Sequence, residues 1–162
     1  MYVELHAHSG YSFLDGASHP EELALRAAEL GYEALALTDH DGVYGSLEFA
    51  HAAKLAGISA ITGAEVTLSG VGSTEPPKSG GAGFAGAGAG TGGGHVTLLV
   101  ESARGYANLC RLLTAAHAET RPPGRELEPV APALDRRLLT ELNEGLVCLS
   151  GCAREGLGVR DP

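Results

Sequence analysis

The sequence predicts an α/β fold in which short strands alternate with helices. Short apolar runs such as residues 34–38 suit strands that are buried on both faces. Segments with apolar residues at helical spacing separate these runs, as for Leu23, Ala27 and Leu30. Such alternation is typical of a parallel sheet, either open or closed into a barrel. The length of 162 residues suggests one domain. A closed barrel of eight units takes about 250 residues, so we expect an open sheet or the first part of a larger barrel.

Local signals place the elements of the first half in order. A first strand is predicted over residues 2–5. A first helix begins within residues 18–21, which have capping-box spacing and an early proline, and it ends at Gly31. After the strand at 34–38, a second helix is predicted from about residue 46 to 56, and a third strand follows over 58–68.

The second half continues the pattern. The residues expected to form the apolar face of a third helix are Tyr106, Leu109, Leu113 and Ala116. Those expected on a fourth helix are Leu134, Leu138 and Leu142. A last strand is predicted over residues 146–150. Prolines in residues 122–132 mark the link between the two helices.

Glycine is concentrated in residues 69–94, although the whole chain holds 24 glycines. This segment has almost no large apolar side chains, so it cannot offset the entropy of its own ordering. Residues 66–68 before it and 96–100 after it have the composition of strands. We therefore predict a hairpin with a long, disordered Gly-rich tip, a flexible insertion that costs little because loop-closure entropy grows slowly with length.

Charge and composition exclude several classes of protein. The chain has 11 basic and 20 acidic residues, a net charge of −9, whereas a protein that grips duplex DNA by itself needs a basic surface. No apolar run approaches the about 20 residues of a membrane helix, and the first residues do not resemble a secretory signal. Three cysteines, an odd number, disfavour a disulfide framework. We expect a cytoplasmic protein with no membrane partner.

Candidate metal ligands lie directly after predicted strands, namely His6, His8, His40 and Cys152, or within one, namely Glu65 in the third strand. The carboxyl ends of parallel strands meet at one rim, where α/β proteins build their sites. His6 and His8 are two residues apart, so an extended backbone presents both imidazoles on one face. Imidazole, carboxylate and thiolate are ligands of zinc and similar metals. A carboxylate such as Glu65 that bridges two ions would suit two-metal hydrolysis of phosphate esters.

Other polar residues have simpler interpretations. Asp15 is either a ligand or only a turn residue. The remaining histidines, expected on helices or at a cap, are given no site role; they are His19, His51 and His117. Cys110 and Cys148 have apolar neighbours and are expected in the core.

Four segments strongly resemble the polymerase and histidinol phosphatase (PHP) domain, in particular that of the error-prone branch of bacterial C-family DNA polymerases. They read ELHAHSGYSFLDGASHPEEL, LALTDHDGVYGSLEFAHAA, GAEVTL and HVTLLVESARGYANLCRLLTAAH. The resemblance implies a distorted seven-stranded (β/α) barrel with up to three divalent ions (zinc, manganese or iron). It implies that the metal ligands are His6, His8, Asp15, His40, Glu65, His95 and Cys152.

A later Asp-x-His of the family pattern is not found in residues 1–162, so the resemblance implies a PHP domain incomplete at its carboxyl end. The position formed by Glu65, His95 and Cys152 is then the most complete. The resemblance also implies a metal-dependent phosphoesterase or 3′–5′ exonuclease domain. Its parent polymerase would act in DNA replication and translesion repair synthesis. DNA would bind through polymerase segments outside this chain, and replication or repair proteins are possible partners. Two alternatives remain, a separate phosphoesterase of the histidinol phosphatase type and a non-catalytic scaffold stabilised by metal.

Overall fold

A computed structural model describes residues 2–69, 94–121 and 130–150 of the chain. The strands in these ranges are β1 (Glu4–Ala7), β2 (Ala34–Leu37), β3 (Ser59–Thr67), β4 (His95–Val100) and β5 (Leu146–Leu149). The helices are α1 (Pro20–Glu29), α2 (Ser46–Ala56), α3 (Ala103–Ala116) and α4 (Arg136–Glu141). None of these helices has the length and apolar character needed to cross a membrane. The predicted α/β class is confirmed.

The described strands form one mixed sheet in the order β1-β2-β3-β4-β5. The first three are parallel, whereas β4 is antiparallel to both β3 and β5. The parallel pairing expected from alternating strands and helices is found for β1, β2 and β3, whereas β4 has the antiparallel direction that the predicted hairpin requires. Helices α3 and α4 lie between β4 and β5 in the chain.

The predicted hairpin is present as a pairing between β3 and β4, in which Thr67 lies opposite His95. Its tip, residues 70–93, lies outside the described residues. The flexibility of this insertion therefore stays a prediction.

β3 contacts a different neighbour with each half of its length. Its first residues pair with β2, and its second half pairs with β4. Where β2 has ended, the chain continues beside β3: Glu65 N–H donates to the Asp39 carbonyl at 3.1 Å, and Asp41 N–H donates to the Glu65 carbonyl at 2.8 Å. The exchange of partners curls the sheet and places Glu65 between two neighbouring segments.

Two hydrophobic clusters cover the sheet. One joins β3 and β4 to α3, with Leu109 and Leu112 fully buried. The other joins β2 to α1 and α2, with Phe49 almost fully buried. The alternation of strands and helices in the sequence predicted this layering, because each amphipathic helix must bury its apolar face.

Some local expectations are corrected. The cap of α1 is His19, whose N–H donates to the Glu22 carboxylate at 2.9 Å, so the capping box begins one residue later than predicted. Tyr106 lies at the edge of the α3 apolar face and is 45% exposed. Cys148 is expected in the core but is exposed, on β5, the last strand of the described sheet; Cys110 is half-buried.

Candidate metal centre

Six of the seven predicted ligands lie together at one rim of the sheet. β1 carries His6, and His8 follows it. The loop before α1 carries Asp15, and His40 follows β2. Glu65 lies within β3, and His95 begins β4. Cys152 lies outside the described residues.

Glu65 is at the centre of the cluster, and its side chain is only 4% exposed. One carboxylate oxygen, Oε2, lies 2.6 Å from His6 Nε2 and 3.5 Å from His95 Nε2. The same oxygen is 3.8 Å from His8 Nε2. The other oxygen, Oε1, accepts a hydrogen bond from His40 Nδ1 at 2.9 Å. A single buried carboxylate thus faces four imidazoles.

Asp15 occupies the opposite, open side of the same cluster, with 57% of its side chain exposed. Its Oδ2 accepts hydrogen bonds from His8 Nδ1 and, at 3.1 Å, from His40 Nε2. His8 and His40 therefore each contact both carboxylates, one through each ring nitrogen. Asp15, which the sequence left open between ligand and turn, is part of the cluster.

The electrostatics of the buried side favour a charged pair. Burial by itself would raise the pKa of the Glu65 carboxyl, but hydrogen bonds from His40 and His6 outweigh it and hold that pKa well below its usual range. The hydrogen bond to Glu65, opposed in part by burial, raises the pKa of His40 to about 9. Both nitrogens of His40 face carboxylates, which is the arrangement an imidazolium requires because both of its nitrogens are donors.

The same causes act more weakly elsewhere. The hydrogen bond to Glu65 also raises the pKa of His6. Hydrogen bonds from His8 and His40 lower the pKa of Asp15. Protons on these imidazoles must leave before the nitrogens can bind a metal ion, so binding will release protons.

The donor atoms fit divalent metal ions. Two groups, His6 with His8 and Glu65, and His8 with Asp15 and His40, each offer three ligand atoms within 4.8 Å of one another. In the first group the nitrogens His6 Nε2 and His8 Nε2 are 3.1 Å apart. Ligands bound tetrahedrally at about 2.0–2.2 Å from zinc lie about 3.3 Å apart, close to the spacing observed here. His8 belongs to both groups, so the two positions are adjacent.

A second set of buried polar residues supports the cluster and was not predicted from the sequence. Asp39 is 2% exposed and accepts hydrogen bonds from Ser9 and Ser12 in the loop after β1. Asp41 is 8% exposed and accepts from the backbone N–H and hydroxyl of Thr67. The available signal was the pair of aspartates on either side of His40, directly after an apolar strand.

The three histidines without a predicted role lie outside both ligand groups of the described residues. His19 and His51 are exposed on or beside helices. His117 caps α3 and lies 2.8 Å, through Nε2, from the carbonyl oxygen of Asp41. It therefore ties α3 to the segment that carries His40.

Sequence comparisons identify relatives over nearly all of the chain. The family model of the PHP domain matches residues 4–157. An error-prone DNA polymerase from Symbiobacterium thermophilum is 41% identical over 165 residues, covering 94% of this chain and 13% of that protein. An error-prone DNA polymerase from Mycobacterium tuberculosis is 43% identical over 154 residues, covering 94% of this chain and 12% of that protein. The chain thus spans about an eighth of the length of these relatives.

A structural comparison finds a similar fold in an amidohydrolase from Chromobacterium violaceum, a structure with bound sulfate and no metal. The two are 31% identical in sequence with a TM-score of 0.50, and the match covers 72% of this chain and 33% of the other.

Proposed function

We propose that this chain, which belongs to the PHP domain family, is a metal-dependent phosphoesterase domain whose divalent ions are held by the histidine and carboxylate cluster. The observation that carries the proposal is the position of Glu65. It is buried between imidazoles from three different segments, and both groups of potential ligands lie beside it. In two-metal sites, ions held a few Å apart stabilise the attacking and leaving oxygens of phosphate-ester hydrolysis, and two adjacent groups of ligands beside one carboxylate suit that arrangement.

The contacts support one assignment of the ligands. One ion would be held by His6, His8 and Glu65, and a second by His8, Asp15 and His40. A third position would use Glu65 and His95 together with Cys152, as the family pattern implies. Zinc, manganese and iron all accept imidazole and carboxylate ligands.

When bound, such ions supply polarisation of a phosphoryl oxygen and a water molecule of lowered pKa. The chain's own residues determine access and orientation. Glu65 is buried, whereas Asp15 is largely exposed, so a phosphate ester would enter from the Asp15 side. The imidazoles offset the negative charge of the two carboxylates, which would otherwise repel a phosphate.

We further propose that the chain is part of an error-prone DNA polymerase. High identity to two such polymerases over 94% of the chain supports this proposal. The parent protein would then copy DNA in replication and in translesion repair, bind DNA through segments outside this chain, and contact replication or repair proteins. We infer a cytoplasmic location, because the DNA of a bacterium lies there. In the parent, the curled sheet would be completed to a seven-stranded barrel.

One observation favours a non-catalytic scaffold as the second candidate. In the described part of the chain, every buried polar side-chain atom has a hydrogen-bond partner. The cluster can therefore stabilise the fold through hydrogen bonds alone, and in that case the ions would add stability without hydrolysis.

The two candidates are separated by hydrolysis assays with matched variants. The chain is loaded with Mn²⁺ or Zn²⁺, and its metal content is measured together with hydrolysis of bis(p-nitrophenyl) phosphate and of single-stranded DNA from its 3′ end. A phosphoesterase loses hydrolysis in His6→Ala and keeps it in His51→Ala, which removes an exposed histidine of α2. Metal binding without hydrolysis of either substrate would support the scaffold, and no metal binding would contradict both.

A further inference from the structure

Three hydrogen bonds from the loop between β1 and α1 converge on one buried carboxylate, that of Asp39. Asp39 Oδ1 accepts hydrogen bonds from Ser9 N–H and from the Ser12 hydroxyl, both at 2.7 Å. Asp39 Oδ2 accepts from the Ser9 hydroxyl at 2.8 Å. Asp39 is 2% exposed, Ser9 is fully buried, and Ser12 is 1% exposed. These three donors come from the loop that carries Asp15.

Ser12 is the junction between this carboxylate and the metal cluster. Its hydroxyl donates to Asp39 and accepts from His40 N–H at 3.1 Å. Its carbonyl accepts from Asp15 N–H at 3.0 Å and from Gly16 N–H at 2.9 Å. The backbone of Asp15 and that of His40 are therefore both bound to the same serine.

The backbone of this loop requires such support. Leu14 has a φ of 68° and is 76% exposed, a left-handed conformation that non-glycine residues adopt only where their surroundings enforce it. A Cβ atom on Gly16 would lie 1.9 Å from the Ser9 carbonyl oxygen, so the loop closes tightly on itself. Asp15 lies between these two positions, and its side chain, which reaches His8 and His40, is 57% exposed.

We propose that Asp39 is a positioning residue that, through Ser9 and Ser12, holds Asp15 in contact with His8 and His40. The inference rests on the proposed metal-binding function, because it assigns Asp39 to the second of the two ion positions. Residues that orient metal ligands in this way typically change metal affinity by tenfold to a hundredfold when they are altered.

Asp41 provides a matched control. It flanks His40 on the other side and is also buried, but its carboxylate binds Thr67 N–H at 2.8 Å and the Thr67 hydroxyl at 2.9 Å. It therefore supports the end of β3, and within the described residues its carboxylate accepts no hydrogen bond from the loop of Asp15. Asp41→Asn reproduces the loss of a buried carboxylate without releasing that loop.

The experiment compares Asp39→Asn, Ser12→Ala and Asp41→Asn with the full chain without substitutions. Amide hydrogen exchange of Asp15 and Gly16 is measured in the metal-free protein. Binding of Co²⁺ is then followed by its visible absorption, which reports ligand geometry. Asp15→Asn identifies which of the bound ions occupies the position of His8, Asp15 and His40. Ser12→Ala removes one hydroxyl and serves if Asp39→Asn fails to fold.

We expect Asp39→Asn and Ser12→Ala to raise exchange at Asp15 and Gly16 by at least about tenfold. We expect both to weaken Co²⁺ at the Asp15 position by roughly tenfold to a hundredfold, with less than about a threefold change at the other position. Asp41→Asn should leave the exchange of the two loop amides unchanged.

Two outcomes overturn the inference. One is unchanged exchange and unchanged Co²⁺ binding in both Asp39→Asn and Ser12→Ala. The other is that Asp41→Asn also raises exchange at Asp15 and Gly16 and weakens Co²⁺ binding to the same extent, which would mean that loss of any buried carboxylate destabilises the protein. If the chain without substitutions binds no Co²⁺, the proposed function fails. The exchange data then still decide whether Asp39 holds the loop.

Discussion

Glu65 and Asp15 each accept hydrogen bonds from two histidines of the cluster, but different parts of the structure hold the two carboxylates in place. Glu65 lies within β3, is 4% exposed, and is held by backbone hydrogen bonds to the segment that follows β2. Asp15 lies in a loop, is 57% exposed, and depends on the hydrogen bonds around Ser12. A sheet fixes a ligand through its regular backbone, whereas a loop needs dedicated side chains for the same precision.

The difference in burial also changes the energetics. Desolvation disfavours the charged form of Glu65, so its pKa is lowered only because His40 and His6 donate hydrogen bonds to it. Removing either histidine would leave a buried charge without that compensation and lower the stability of the protein. Asp15 is largely solvated, and solvent screens its interactions. We therefore expect substitutions on the Glu65 side to have the larger effects.

The largest effect is expected for Glu65→Gln. This change removes the carboxylate that both ion positions share or adjoin, so metal affinity should fall by roughly a hundredfold or more. The metal-free protein should lose about 2 kcal/mol of unfolding free energy, because hydrogen bonds to a charged group are lost in a buried place. Isothermal titration with Zn²⁺ and urea unfolding measure the two quantities.

Glu33→Gln is the control for this change. Glu33 is exposed, just before β2, and a substitution there should alter stability by less than about 0.5 kcal/mol. If Glu65→Gln resembled this control in both measurements, Glu65 would not be the centre of the site.

Asp15→Asn should have a smaller and more selective effect. We expect one ion to be lost or weakened by roughly tenfold to a hundredfold, while the ion near His6 and Glu65 stays bound. Metal analysis after dialysis gives the number of ions retained. Loss of all ions in Asp15→Asn would show that the two sides of the cluster are not separable.

The metal-free protein should be most stable in mildly acidic solution. The pKa of His40 is raised from 6.5 to about 9 in the folded protein, so its stabilising contribution is complete below about pH 6.5 and is lost as pH rises through about 9. The lowered pKa values of Glu65 and Asp15 act in the opposite direction, and their contribution is lost as pH falls below about 4.

Thermal unfolding between pH 4 and pH 10 tests this dependence. His40→Ala should remove most of the decline on the alkaline side. Metal binding should show the opposite trend over the same range, because affinity increases as the imidazoles lose their protons. If stability still declines at alkaline pH in His40→Ala, a titratable group other than His40 causes the decline.

The smallest effect is expected from the Gly-rich segment. Replacing residues 70–93 by a short turn should change the free energy of unfolding by less than about 1 kcal/mol, since only loop-closure entropy differs. The design keeps Ser69 and Gly94, whose backbones bond to Leu134 and Leu68. Urea unfolding and Zn²⁺ titration of the shortened chain measure the effect, and loss of either folding or metal binding would contradict the prediction.

Much of the architecture was predictable from local patterns. The bounds of α2 were predicted to the residue, because its apolar spacing and the left-handed Gly57 after it are both local signals. The alternation of strands and helices also predicted that His6, His40 and Glu65 would follow or lie in neighbouring strands. Periodicity did not reveal that Cys148 would be exposed, because burial in an edge strand depends on what covers it.

By itself the sequence determined the α/β class, the order of the elements and the residue types available for a metal site, since these depend on spacing along the chain. Only the tertiary structure decided how those residues are used. It joined Asp15 to His8 and His40, and it buried Asp39 and Asp41 on either side of His40. Ser12 and Thr67 are separated from these aspartates by 27 and 26 positions. Such contacts arise where the sheet exchanges partners at β3, and no local pattern in the sequence encodes them.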